Sequence, residues 1–147
     1  MKNIPVHTLM LVVTREEQGK KRELLLENGL ILARNFKAKF LIGCPDSEVL
    51  DLEKRISNSR KHHRNFPLIQ ICPIIGNFSV NLLEQAEQYH VDLIVMCSSQ
   101  GEQKGDEFLS PTKKKIVSTS GIYIMMLPVG RELKQNSIKN LDVYKAA

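Results

Sequence analysis

The residues of this 147-residue chain best suited to gripping an anion are Ser110-Pro111-Thr112 and the three lysines that follow, Lys113, Lys114 and Lys115. Serine before proline marks a helix start. The hydroxyl caps N–H groups of the first turn, and proline is tolerated at the first helical position because an N–H there has no intrahelical acceptor. Three positive charges in those turns oppose the helix dipole, and a phosphate held against the free N–H groups would remove the conflict. A water-covered helix face carries the same pattern, so the lysines have two readings.

No catalytic constellation accompanies them. Nucleotidyl transfer and ATP pyrophosphatase chemistry need an HxGH motif or an SGGxDS loop to hold phosphates and stabilise the charge that builds in transfer, and neither occurs. His62 and His63 sit in a basic cluster with Arg60, Lys61 and Arg64 at a predicted helix end, where the dipole and water account for them. His7 and His90 sit at strand starts, at the opposite end of a parallel sheet from a crevice. A phosphoacceptor receiver domain would need clustered aspartates where Thr14, Arg15, Ile74 and Ile75 stand. Cys44, Cys72 and Cys97 form no CxxC pair, so they read as small buried residues in a reducing, cytoplasmic compartment, with no metal expected. A net charge of +5 favours anionic partners in general. Without Trp or an RNP or zinc-finger pattern, no specific nucleic acid is expected. Every apolar run is far shorter than the roughly 20 residues that cross a bilayer, so membrane insertion is not expected.

With 42% hydrophobic residues the chain can fill one core. Residues 7–14 form a nearly continuous apolar run, the signature of a strand buried on both faces. Leu25, Gly29, Leu32, Ala33 and Phe36 recur at helical spacing within residues 20–37. A second strand over 39–43 leads through Pro45-Asp46-Ser47 into a helix with Val49, Leu52 and Ile56 on its buried stripe. A third strand covers 68–75. Ser79 is the expected cap of a third helix, which presents Leu82, Leu83 and Ala86. Residues 91–97 make a fourth strand, 98–109 a long polar loop, and Ser110 opens a short helix. The fifth strand runs from Ile122 to Leu127, stopped by Pro128 and Gly130. Such alternation implies a parallel sheet. The domain is expected over residues 1–129, and the polar tail, 130–147, as a loosely held helix or disordered end.

Val91-Asp92-Leu93-Ile94-Val95-Met96, with Ile75-Gly76-Asn77 leading into the preceding helix, resembles the universal stress protein family, in which a DLIVMG strand follows the third helix. The resemblance extends to about Val129. It implies an α/β, doubly wound, Rossmann-like sheet of five parallel strands in the order 3-2-1-4-5, with helices on both faces. Open parallel sheets bind ligands at the switch point, here where strands one and four diverge, with residues 14–19 facing residues 97–110. Nucleotide-binding members carry an acid at the end of strand one and a loop of the form G-x-x-G-(nine residues)-G-(S/T), whose glycines let backbone N–H groups close on phosphates. Thr14 and Arg15 stand at the place of the acid, Cys97, Gln100 and Ser110 at the three glycines, and Pro111 at the last hydroxyl; Gly101 falls one position late and Gly105 matches none. The expected binding residues are therefore Thr14, Arg15, Cys97, Ser98, Gln100, Ser110 and Thr112, around a degenerate phosphate loop.

The resemblance implies a non-enzymatic regulatory module of the stress response that binds ATP or AMP weakly and pairs as a homodimer through the strand Ile122 to Leu127, whose bare edge needs a partner. The alternatives are a dimerising scaffold with no nucleotide, a nucleotide-handling enzyme, or a soluble part of a larger membrane assembly. For the edge strand itself, the other reading is cover by the C-terminal tail.

Overall fold

The most water-excluded segment dictates the layout. In the computed structural model, which describes residues 5–62, 67–100, 107–128, 133 and 143–145, strand β1 (Thr8–Val12) is buried along its whole length. Because side chains alternate across a strand, Leu9 and Leu11 enter one core and Met10 and Val12 the other. On the first face lie α1 (Lys20–Phe36) and α2 (Val49–His62), which contribute Leu25, Leu32, Ala33, Leu52 and Ile56. On the second lie α3 (Phe78–Gln88) and α4 (Pro111–Thr119), which contribute Leu82, Ala86 and Ile116.

Strands β2 (Lys39–Pro45), β3 (Ile69–Ile74), β4 (Leu93–Cys97) and β7 (Tyr123–Leu127) join β1 in parallel, in the spatial order β3-β2-β1-β4-β7. That is the expected order 3-2-1-4-5. The long polar loop contains a two-stranded antiparallel hairpin, β5 (Ser99–Gln100) with β6 (Glu107–Phe108); Gly101 and Gly105 lie outside the described residues.

One local expectation changes, and one turn takes a form of its own. Asn77, not Ser79, caps α3, accepting from the Val80 N–H at 3.2 Å, while the Ser79 hydroxyl donates back to Asn77. Asp46–Glu48 forms a turn of 3-10 helix before α2, with no side-chain cap.

The larger correction concerns the tail, expected as a loose helix or disordered end. Its residues Val143–Lys145 form β8, which pairs antiparallel to β7 in the register Tyr123↔Lys145, Ile124↔Tyr144 and Met125↔Val143. The physical reason is the backbone of β7, whose outer N–H and C=O groups would otherwise face solvent unpaired. The bare edge from which a homodimer was expected is thus covered within one chain. The Lys145 ammonium lies 5.0 Å from the centre of the Tyr123 ring, a cation–π contact across the same pair. The tail is also held at Leu133, which is buried in the first core and whose N–H donates to Asn28 Oδ1 at 2.8 Å. Asn28 is itself buried on α1.

Replacing Asn28 by Ala leaves a buried N–H without its acceptor, which costs about 1–3 kcal/mol. Urea unfolding is expected to show a lower midpoint of that size, with the hydrogen-exchange protection of Leu133 lost first.

Candidate functional site

The segment after β1 is held by two cations that have no contact with solvent. Arg22, on α1, is fully buried and donates from Nε to the Glu17 carbonyl at 2.8 Å and from one terminal nitrogen to the Thr14 carbonyl at 2.9 Å. The same guanidinium pairs with Glu48 and Asp51, each at 2.8 Å. Burial pulls its pKa down, but the hydrogen bonds to Asp51 and Glu48 outweigh it and leave the group raised and charged. From the other face, Lys113 of α4, also fully buried, donates from Nζ to Glu17 Oε2 at 3.0 Å and to the Cys97 carbonyl at 2.8 Å.

Between these cations Glu17 is only 3% exposed. Its carboxylate also accepts from the Thr14 N–H at 3.0 Å and the Thr14 hydroxyl at 3.0 Å. Glu16 reaches the start of α4, where its Oε2 accepts from the Ser110 hydroxyl at 2.9 Å and lies 3.8 Å from Lys113 Nζ. The start of α4 follows the sequence reading: Ser110 is the N-cap, accepting from the Lys113 N–H, with Pro111 at the first position. The lysine triple, however, is divided. Lys114 and Lys115 are exposed, as a solvated face requires, while Lys113 turns inward to Glu17.

These contacts tie residues 14–17 to α4. A cavity of about 530 Å³ lies over the carboxyl ends of β1, β2 and β3, lined by Thr14, Arg15, Glu16, Pro45, Asp46, Ser47, Ile74, Ile75, Gly76, Phe78 and Thr112. Of the expected binding residues, Thr14, Arg15 and Thr112 meet there. Arg15 is exposed and donates to the Ser47 hydroxyl at 2.8 Å. Cys97, Ser98, Gln100 and Ser110 do not line it. Cys97 is buried under Lys113, the Ser98 N–H donates to the Leu127 carbonyl at 3.3 Å, Gln100 pairs with Glu107 in the hairpin, and Ser110 caps α4.

Sequence reasoning passed over Glu16, Glu17 and the β2 and β3 ends. The one available signal was acidity within three residues of the position where an acid was sought. Burial raises the Cys44 thiol to about 12 and the Cys97 thiol to about 11, so both stay protonated and unreactive at neutral pH. Among the described residues there is no cluster of three or more His, Cys, Asp or Glu that could hold a metal ion.

No family model matches the chain. No curated protein matches it either. Solved structures do. A universal stress protein from Archaeoglobus fulgidus superposes with a TM-score of 0.62 at 11% identity, covering 82% of this chain and 97% of that one. This is the universal stress protein fold. A universal stress protein solved in complex with cAMP has the same fold, with a TM-score of 0.60 at 15% identity over 85% of this chain and 99% of its own. UspA from Lactobacillus plantarum follows at 0.53 and 14%, over 84% and 98%. Against the universal stress fold as the sequence resemblance describes it, this chain adds β8 and ties the turn after β1 to the start of α4 through Glu16 and Glu17.

The carboxylates around Arg22 give the fold an acid sensitivity of known sign. The hydrogen bond from Arg22 holds Glu48 below its ordinary value of 4.5, and those from Arg55 and then Arg22 hold Asp51 below 3.8. A depressed folded pKa adds stability above the ordinary value that is lost as pH falls through the folded one. Urea midpoints are therefore expected to fall as pH drops below about 4.5. Replacing Arg22 by Met should lower stability at pH 7 by about 3 kcal/mol, the low end for breaking a buried pair, because Asp51 can hydrate. The same variant should flatten the acid dependence.

Proposed function

We propose that the protein is a non-enzymatic, cytoplasmic regulatory module of universal stress type that takes an adenine nucleoside or nucleotide, at low affinity, in the cavity over β1, β2 and β3. The cavity itself carries the reading. Its volume of about 530 Å³ falls within the range of small-ligand sites. Pro45, Ile74, Ile75 and Phe78 supply apolar surface for a flat base. Thr14, Asp46, Ser47 and Thr112 surround that surface with groups able to bond ribose hydroxyls and ring nitrogens, and Arg15 places a cation at the rim for a single phosphate. The cAMP complex of a protein with the same fold supports this ligand class.

The non-catalytic half of the reading is supported by how the polar groups are used. Glu17 is committed to the buried Lys113 ammonium, Ser110 caps α4, and the Cys44 and Cys97 thiols are held protonated. Pairing of two copies through β7 competes with β8 for the backbone groups of Tyr123–Met125, so assembly along that edge requires Val143–Lys145 to leave it.

Thermal unfolding in the presence of adenosine, AMP, cAMP and ATP tests the reading. A ligand at 100 times its dissociation constant adds about 2.7 kcal/mol, enough to move the midpoint by several degrees. Saturable rises with adenosine or AMP, lost when Phe78 is replaced by Ala, are expected. A flat response to all four at millimolar concentration would leave a scaffold without a nucleotide site.

A further inference from the structure

We propose that Glu16 and Glu17 set the ligand class of this crevice, acting as a built-in anion that shuts phosphate chains out of the space between β1 and α4. The inference rests on the nucleotide reading above only for the identity of the ligand; the exclusion follows from the side chains themselves. A phosphate chain entering between β1 and α4 would need the ammonium of Lys113 and the hydroxyl of Ser110. Both are taken. Lys113 Nζ is 3.0 Å from Glu17 Oε2, 2.8 Å from the Cys97 carbonyl oxygen, 3.8 Å from the Cys97 sulfur and 3.8 Å from Glu16 Oε2. The Ser110 hydroxyl donates to Glu16 while accepting from the Lys113 N–H.

The two carboxylates differ in how firmly they hold. The Glu17 side chain is 4% exposed and faces a lysine that is 0% exposed, so neither charge can leave without stranding the other away from water. The Glu16 side chain is 36% exposed and forms the outer part of the closure, also lining the cavity. An incoming polyphosphate would find the Lys113 ammonium already neutralised by Glu17, with the Glu16 carboxylate as a further negative charge beside it. A nucleoside, or a ligand with one phosphate directed at Arg15 on the outer rim, avoids this space. The protein should therefore discriminate against ATP in favour of ligands with little or no phosphate.

The experiment measures binding of inorganic tripolyphosphate and ATP by calorimetry to the wild type, Glu17→Gln, Glu16→Gln and the double variant Glu17→Gln/Lys113→Met, with circular dichroism melts on each. Glu17→Gln removes the closer carboxylate of Lys113 and leaves only Glu16 at 3.8 Å, so tripolyphosphate is expected to bind roughly tenfold tighter than to wild type, about what one charge-assisted hydrogen bond is worth. The double variant, which has no ammonium, should lose that gain. A folded Glu17→Gln protein that binds no better than wild type, or a gain that persists in the double variant, overturns the proposal. Should Glu17→Gln not melt cooperatively, Glu16→Gln decides: a smaller gain supports exclusion, and equality with wild type overturns it. Adenosine binding to the wild type is read separately. If adenosine fails to bind while tripolyphosphate gains appear in the variants, the nucleotide reading falls and the exclusion stands. If adenosine binds and no variant gains affinity for tripolyphosphate, the exclusion falls and the nucleotide reading stands.

Discussion

A cation taken out of water must bring its counter-charge and acceptors with it, because removing either leaves a charge stranded in a medium that solvates it poorly. Among the described residues two cations are in that position, Arg22 from the helix layer on one face of the sheet and Lys113 from the layer on the other. Both are met by residues 14–17. Arg22 takes the carbonyls of Thr14 and Glu17, and Lys113 takes the Glu17 carboxylate. Four residues that would otherwise be a free turn at the end of β1 are thereby pinned from both sides. Among the described residues no buried side-chain nitrogen or oxygen is left without a partner.

That pinning determines the shape of the site. With Glu16 and Glu17 drawn toward α4, the turn after β1 is tied to the start of that helix, and a cavity lies over β1, β2 and β3. Arg22 extends the same network through Glu48 and Asp51 to the start of α2, and Arg55 ties Asp51 to Glu23 on α1. The wall of the cavity formed by Asp46 and Ser47 adjoins this network, so its position is coupled to that of the turn after β1. The universal stress fold keeps its open end, and the described residues there include the Glu16 carboxylate, the Arg15 cation and the apolar surface of Pro45, Ile74, Ile75 and Phe78.

At the far edge of the sheet a second constraint operates. A parallel strand ending a sheet exposes a row of backbone groups that either recruits another chain or must be covered. Here β8 provides the cover, and the contact of Leu133 with Asn28 holds the tail against the first core on its way there. The same backbone groups cannot serve both β8 and a second copy. Assembly through this edge is therefore coupled to the tail.

The features legible in the amino-acid sequence are those whose cause is local. The continuous apolar run of β1, the stripe of Leu25, Leu32 and Ala33 on α1, the Ser110-Pro111 start of α4 and the alternation of strands and helices depend on neighbours a few residues away, and periodicity and capping rules read them directly. Strand order needed the family resemblance, and the structural neighbours agree with it. The contacts that shape the site are made across the chain and exist only once it has folded. Glu16 meets Ser110 across 94 residues, Glu17 meets Lys113 across 96, and Asn28 meets Leu133 across 105. A lysine triple looks the same in sequence whether all three face water or one is buried. The difference is the carboxylate that the fold brings to Lys113, and no pattern within a turn of helix contains it.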